Sequence, residues 1–151
     1  PLPAQPGASP TSPSVRAPTA VDRRGRVLVM DDEPVIREML GEVLGRAGFE
    51  VDGAPDGEQA VAAWERALRE KRPYDLAIVD LTVPGGMGGR EAVLKLRAID
   101  PGCKAIVSSG YSNDPVMARS RDEGFDGVCV KPYRLSDLLA EVARVLGHGR
   151  R

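Results

Sequence analysis

The sequence predicts an α/β fold: a doubly wound, five-stranded parallel sheet of order 2-1-3-4-5 with helices on both faces. Three observations predict it. Five short runs are apolar nearly throughout, as strands covered on both faces must be. Between them, apolar residues recur at helical spacing. Gly, Pro and Asp mark the joints.

Taken in order, residues 1–20 hold six of the thirteen prolines and a single charge, Arg16. Such a segment buries too little apolar area to offset its ordering entropy, so 1–24 read as a Pro-rich linker or disordered tail. They lack the apolar stretch of a signal peptide. The folded unit is expected over 25–147, with 148–151 as a second tail. Arg26–Met30 is the first strand, and Asp31-Asp32-Glu33-Pro34 ends it. Pro34 suits the first turn of a helix, where its missing N–H costs nothing. Val35/Ile36, Met39/Leu40, Val43/Leu44 and Ala47 then repeat on one face until Gly48. Phe49–Ala54 reads as the second strand. Asp56–Glu70 reads as a helix with Ala60, Val61, Trp64 and Leu68 inward. Leu76–Val79 is a fully apolar strand bracketed by Asp75 and Asp80. The glycine-rich loop Pro84–Gly89 leads into a helix over about Arg90–Ile99. Lys104–Ser109 is the fourth strand, and Pro115–Asp122 a weaker helix. Gly127–Val130 is the fifth strand, and a last helix runs from Leu135 to Leu146 with Leu138, Leu139, Val142, Val145 and Leu146 inward.

Composition removes several classes of chemistry. The 151 residues carry 21 Lys+Arg against 22 Asp+Glu, a net charge of −1, so no basic excess marks a nucleic-acid surface. The single histidine, His148, lies at the end of the chain, which excludes a histidine triad, a His-rich metal site and an internal phosphohistidine donor. Cys103 and Cys129 form neither a zinc ribbon nor a CxxC pair. Without a secretion signal they read as free thiols, one in a loop and one in a buried strand, and the chain as cytoplasmic. No run approaches ~18 apolar residues, so no membrane contact is expected. Chemistry must therefore run on carboxylates, lysine, hydroxyls and a hard metal ion.

Those groups converge at one edge of the predicted sheet. Strand 1 ends in Asp31-Asp32, strand 3 in Asp80, strand 4 in Ser109 and strand 5 in Lys131. Alone, each has a plain explanation as a cap or turn residue. Four such signals at the carboxyl ends of four strands outweigh those explanations, since ligands of open α/β sheets bind there. Three clustered carboxylates repel unless cations intervene. Lys131 supplies one charge, and an all-oxygen donor set points to Mg²⁺ for the rest.

Val27-Leu28-Val29-Met30-Asp31-Asp32-Glu33-Pro34, Asp75 to Pro84, Ser109-Gly110 and Lys131-Pro132 together resemble the receiver domain of two-component response regulators, over about residues 25–147. The resemblance implies a flavodoxin-like fold. The strand order is typical of that family, so its agreement adds no independent weight. It also implies that Asp80 accepts a phosphoryl group from a phosphohistidine of a histidine kinase or phosphotransfer protein. Asp32, Asp80 and the backbone carbonyl of Thr82 would bind Mg²⁺, with Asp31 acting through metal-bound water. Lys131 would pair with Asp80 and then with the phosphoryl oxygens, Ser109 would turn toward that group, and the Lys131–Pro132 bond would be cis.

Departures from the family pattern bear on the switch. Val128 stands where the family usually has an aromatic residue, which leaves Tyr111 or Phe125 to substitute. Thr82 and Tyr111 flank the acceptor at positions that modulate hydrolysis of the acyl phosphate. The four-glycine loop, together with Ser109-Gly110-Tyr111, resembles receivers of hybrid sensor histidine kinases, and the loop reads either as mobile before phosphorylation or as a plain long turn. A Pro-rich start without methionine and an end soon after the last helix favour the same context, with a stand-alone regulator as the alternative. Whether the chain counts as an enzyme stays open, because it has no kinase domain and assists only its own phosphorylation. An aspartyl-phosphate hydrolase would need an acid two residues after its nucleophile, where Thr82 stands. A receiver-like module that takes no phosphate would be expected to lack Asp32, Asp80 or Lys131. A flavin module fits poorly with only 4% aromatic residues.

Overall fold

A computed structural model of the protein describes residues 25–81, 83–110 and 125–148. Its strands are β1 (Gly25–Met30), β2 (Phe49–Ala54), β3 (Leu76–Asp80), β4 (Ala105–Ser109) and β5 (Gly127–Val130). Its helices are α1 (Pro34–Arg46), α2 (Gly57–Arg69), α3 (Gly89–Ile99) and α4 (Leu135–His148). The sheet order is β2-β1-β3-β4-β5, and every neighbouring pair is parallel. This is the predicted flavodoxin-like sheet.

The alternation of side chains along each strand sorts them into two cores. Leu28, Met30, Ala77, Val79, Ala105 and Val107 pack on one face with Trp64 of α2 and Leu96 of α3. Val27, Val29, Leu76, Ile78, Ile106 and Cys129 pack on the other with Leu40 and Leu44 of α1 and Leu138 and Val142 of α4. Trp64 is fully buried, and its indole N–H donates to Asp100 Oδ2 at 2.9 Å, which removes the cost of burying that donor. Cys103 and Cys129 are free and buried.

Local signals set the helix ends. Glu33 accepts the first backbone bonds of α1 through its carbonyl, from Ile36 and Arg37, and Pro34 occupies the first turn. Past its end, Gly48 adopts φ +103°, a left-handed conformation that costs glycine little. The Asp56 side chain caps α2 by accepting from Gln59 N at 2.9 Å. Helix α3 opens at Gly89, where a Cβ would lie 2.7 Å from the Asp80 carbonyl oxygen. Only glycine lets α3 start that close to the end of β3.

Several expectations change. Val35, assigned to the inward face of α1, is 72% exposed, while Ile36 beside it packs against the core with Leu40 and Leu44. His148, expected to lie past the last helix, is the final residue of α4. Asp80 belongs to β3, one residue past the expected end. The tail over 1–24, residues 149–151 and the helix expected over Pro115–Asp122 lie outside the described residues, as do Thr82 and Tyr111. Among the described residues, no helix is long and apolar enough to cross a membrane.

Candidate functional site

Three strands of the sheet deliver the charged cluster. Strand β1 runs out at Met30, and Asp31 follows while still tied to β2 through its N–H, which donates to the Ala54 carbonyl at 3.0 Å. Asp80 ends β3 in register with Ser108 of β4. Lys131 directly follows β5. The carboxylates of Asp31, Asp32 and Asp80 each present an oxygen within 4.8 Å of the others. Asp31 and Asp80 are buried, and Asp32 faces solvent. Burying two carboxylates side by side is costly without compensating charge.

Lys131 supplies that charge. Its Nζ lies 2.8 Å from Asp31 Oδ2, 3.3 Å from Asp80 Oδ2 and 3.9 Å from Glu33 Oε1. Burial by itself would lower the ammonium pKa, but the hydrogen bond to Asp31 and the charges of Asp80 and Asp31 outweigh it and hold it above the ordinary lysine value. The sequence paired Lys131 with Asp80, whereas the shorter contact is to Asp31. The Lys131–Pro132 peptide bond is cis, as expected.

Further groups fix the Asp31-Asp32 turn. Asp31 Oδ1 accepts from the Glu33 N–H at 2.9 Å, and the Asp31 carbonyl accepts from Arg37 Nη1 at 2.6 Å. The Arg37 side chain passes over Gly53 of β2, where a Cβ would approach its Cδ to 3.1 Å. Ser109 is the last residue of β4. Val128 is half-buried against the core on the α2 and α3 side, where Phe125 is buried. On the opposite side, Ser108 is 1% exposed, and its Oγ lies 2.5 Å from the Tyr133 hydroxyl. Burial pushes the Tyr133 phenol up to about 12, against the lowering effects of the Ser108 hydrogen bond and of Lys131, so it stays protonated near neutrality.

Sequence reasoning brought Asp31, Asp32, Asp80, Ser109 and Lys131 to one sheet edge; the structure gathers the side chains of Asp31, Asp32, Asp80 and Lys131, and places Ser109 at the end of β4. It missed Glu33, Arg37, Ser108 and Tyr133 as members of the same neighbourhood. For Ser108 a signal existed: a hydroxyl inside an otherwise apolar strand must find a partner. Nothing local pointed to a tyrosine 25 residues away as that partner. Chemically, the cluster offers a partly solvent-accessible set of oxygens suited to a hard divalent cation, next to a fixed ammonium.

Comparison with known proteins gives concordant results. The family model for the response regulator receiver domain matches residues 27–143. The chemotaxis protein CheY of Thermotoga maritima is 32% identical over 121 residues, which are 80% of this chain and 96% of that protein. The DNA-binding response regulator MtrA of Mycolicibacterium smegmatis is 36% identical over 79% of this chain, but that match covers 49% of MtrA. The chain spans about half or less of the length of several curated relatives it matches. A CheY-like receiver domain protein from Methanospirillum hungatei superposes with a TM-score of 0.71 at 28% identity, covering 82% of this chain and 94% of that one.

Proposed function

Since the chain belongs to the response regulator receiver domain family, we propose that Asp80 accepts a phosphoryl group from a phosphohistidine of a histidine kinase or phosphotransfer protein. The observation that carries this reading is the buried Asp80 carboxylate, set within 4.8 Å of Asp31 and Asp32 and 3.3 Å from the Lys131 ammonium. A carboxylate oxygen of Asp80 attacks phosphorus, the P–N bond of the donor breaks, and the leaving imidazole keeps the electron pair and takes up a proton. Phosphoryl transfer needs in-line positioning and neutral surroundings more than covalent help. Asp80 is held by its place at the end of β3, against the fixed N-terminus of α3. Lys131 is placed to shift from Asp31 and Asp80 to the incoming phosphoryl oxygens.

The all-oxygen donor set fits Mg²⁺, with Asp32 and Asp80 as direct ligands, the Thr82 carbonyl as a third, and Asp31 acting through water. When bound, the cation supplies charge that the phosphoryl oxygens need. Ser109, closing β4 beside the acceptor, turns its hydroxyl toward the acyl phosphate, and the changed surface is the output. The likeness of the glycine-rich loop and of Ser109-Gly110-Tyr111 to hybrid-kinase receivers supports a place in a hybrid sensor histidine kinase. Free, buried Cys103 and Cys129 agree with a reducing compartment, the cytoplasm.

Incubation with Mg²⁺ and acetyl phosphate, followed by intact-mass measurement, tests the reading. The expected product gains one phosphoryl group that is stable in acid and labile in base, and Asp80→Asn gains none. An unmodified wild-type chain, or modification that persists in Asp80→Asn, overturns it.

A further inference from the structure

We propose that Tyr133 is a positioning residue: its hydroxyl, bonded to Ser108, sets the Lys131 ammonium against Asp80. The inference rests on the reading of Asp80 as phosphoryl acceptor.

A closed ring of contacts carries it. The Leu81 N–H, one residue past Asp80, donates to the Ser108 carbonyl at 2.8 Å. From the same residue, Ser108 Oγ meets the Tyr133 hydroxyl at 2.5 Å. Two residues back along the chain, Lys131 Nζ returns to Asp80 Oδ2 at 3.3 Å. Ser108 is thus joined to the acceptor strand through its backbone and to the lysine-bearing loop through its side chain. Ser108 is buried in register between Asp80 of β3 and Cys129 of β5, so it has no freedom to follow a moving loop. A lysine side chain has four rotatable bonds and reaches its target in many geometries. With the Ser108–Tyr133 bond in place, the Lys131 ammonium spans both carboxylates, 2.8 Å from Asp31 and 3.3 Å from Asp80. A tether at Tyr133 fixes the backbone from which Lys131 departs and keeps Asp80 within reach.

Phenylalanine at 133 would keep the ring's packing against the core on the α1 and α4 side and lose only the hydroxyl. If the bond merely satisfies a buried serine, its loss should affect phosphorylation equally with or without Lys131. If it acts through Lys131, removing the lysine should erase its effect.

The test compares Tyr133→Phe, Ser108→Ala and their double variant, in the wild-type background and in Lys131→Met. Phosphorylation by acetyl phosphate with Mg²⁺ is followed by intact mass. The expected result is a maximal rate about threefold to tenfold lower for each single variant, the worth of one hydrogen bond. The double variant should lose no more than either single one. The donor concentration at half-maximal rate should not change, and in Lys131→Met the substitutions should have no further effect. Unchanged rates, or equal losses in both backgrounds, overturn the proposal. A second readout needs no turnover. The chain has four lysines, Lys71, Lys95, Lys104 and Lys131, so its lysine Cε resonances form a simple carbon spectrum. Tyr133→Phe is expected to move the Lys131 signal and leave the others in place, and an unmoved Lys131 signal overturns the positioning role. Failure of the wild-type chain to modify Asp80 overturns the acceptor reading instead, and the resonance then decides the tether alone.

Discussion

Cys103 and Cys129 are thiols that the fold prevents from ionising. Burial pushes each up from 9.0 to about 12, and the Tyr74 and Tyr133 phenols rise from 10.0 to about 12, again chiefly through burial. A raised pKa means that the folded chain keeps protons the unfolded chain releases. The associated stability is complete below the unfolded values, and it is lost as pH climbs from about 9 toward 12. The raised Lys131 value acts with the same sign. Urea midpoints are therefore expected to be flat from pH 7 to about 8 and to fall steadily above 9. The early part of the fall should shrink in Cys129→Ala, and a midpoint constant from pH 8 to 11 would contradict the account. At this scale the sequence was legible wherever chemistry repeats a spacing. Asp31, Asp32 and Lys131 follow strand ends and Asp80 closes one, so their convergence could be read. That Lys131 sits nearer Asp31 than Asp80 depends on side-chain geometry, and the Ser108–Tyr133 bond on tertiary placement. Neither leaves a periodic trace.

The sequence pattern placed every described strand and helix to within two residues, because each has an apolar period and a chemical stop. Where it failed, at Val35, the helical period admitted one neighbour too many: Ile36 takes the place against the core and Val35 turns to solvent. Two glycines illustrate how far element packing controls a substitution. At Gly89, the first residue of α3, a Cβ would lie 2.7 Å from the Asp80 carbonyl oxygen and 2.9 Å from Val79 Cγ2. Gly89→Ala must push α3 away from β3, so it is expected to destabilise the fold by about 1–3 kcal/mol and to slow phosphorylation of Asp80. At Gly45, inside α1, a Cβ would meet nothing within 4 Å. Gly45→Ala is expected to stabilise by about 0.5–1 kcal/mol through chain entropy. Urea unfolding of both variants checks the pair of opposite signs; equal signs would mean that backbone approach at α3 is looser than described.

For the whole molecule, the cation proposed for the carboxylate cluster carries a prediction about folding stability. A cation that binds only the folded chain stabilises it by about 2.7 kcal/mol at one hundred times its dissociation constant. Mg²⁺ is accordingly expected to raise the thermal midpoint in proportion to the logarithm of its concentration. Asp32→Asn, at an exposed position, should remove most of that rise while leaving the Mg²⁺-free midpoint nearly unchanged. A midpoint indifferent to Mg²⁺ in the wild-type chain would remove the cation from the proposal. The two cores lie on opposite faces of one sheet, while the reactive side chains crowd its rim. Robustness and chemistry are thereby inherited from different parts of the molecule. Aliphatic exchanges in the two cores, such as Ile78→Val or Leu44→Met, are therefore expected to move the melting point while leaving the carboxylate rim and its chemistry in place.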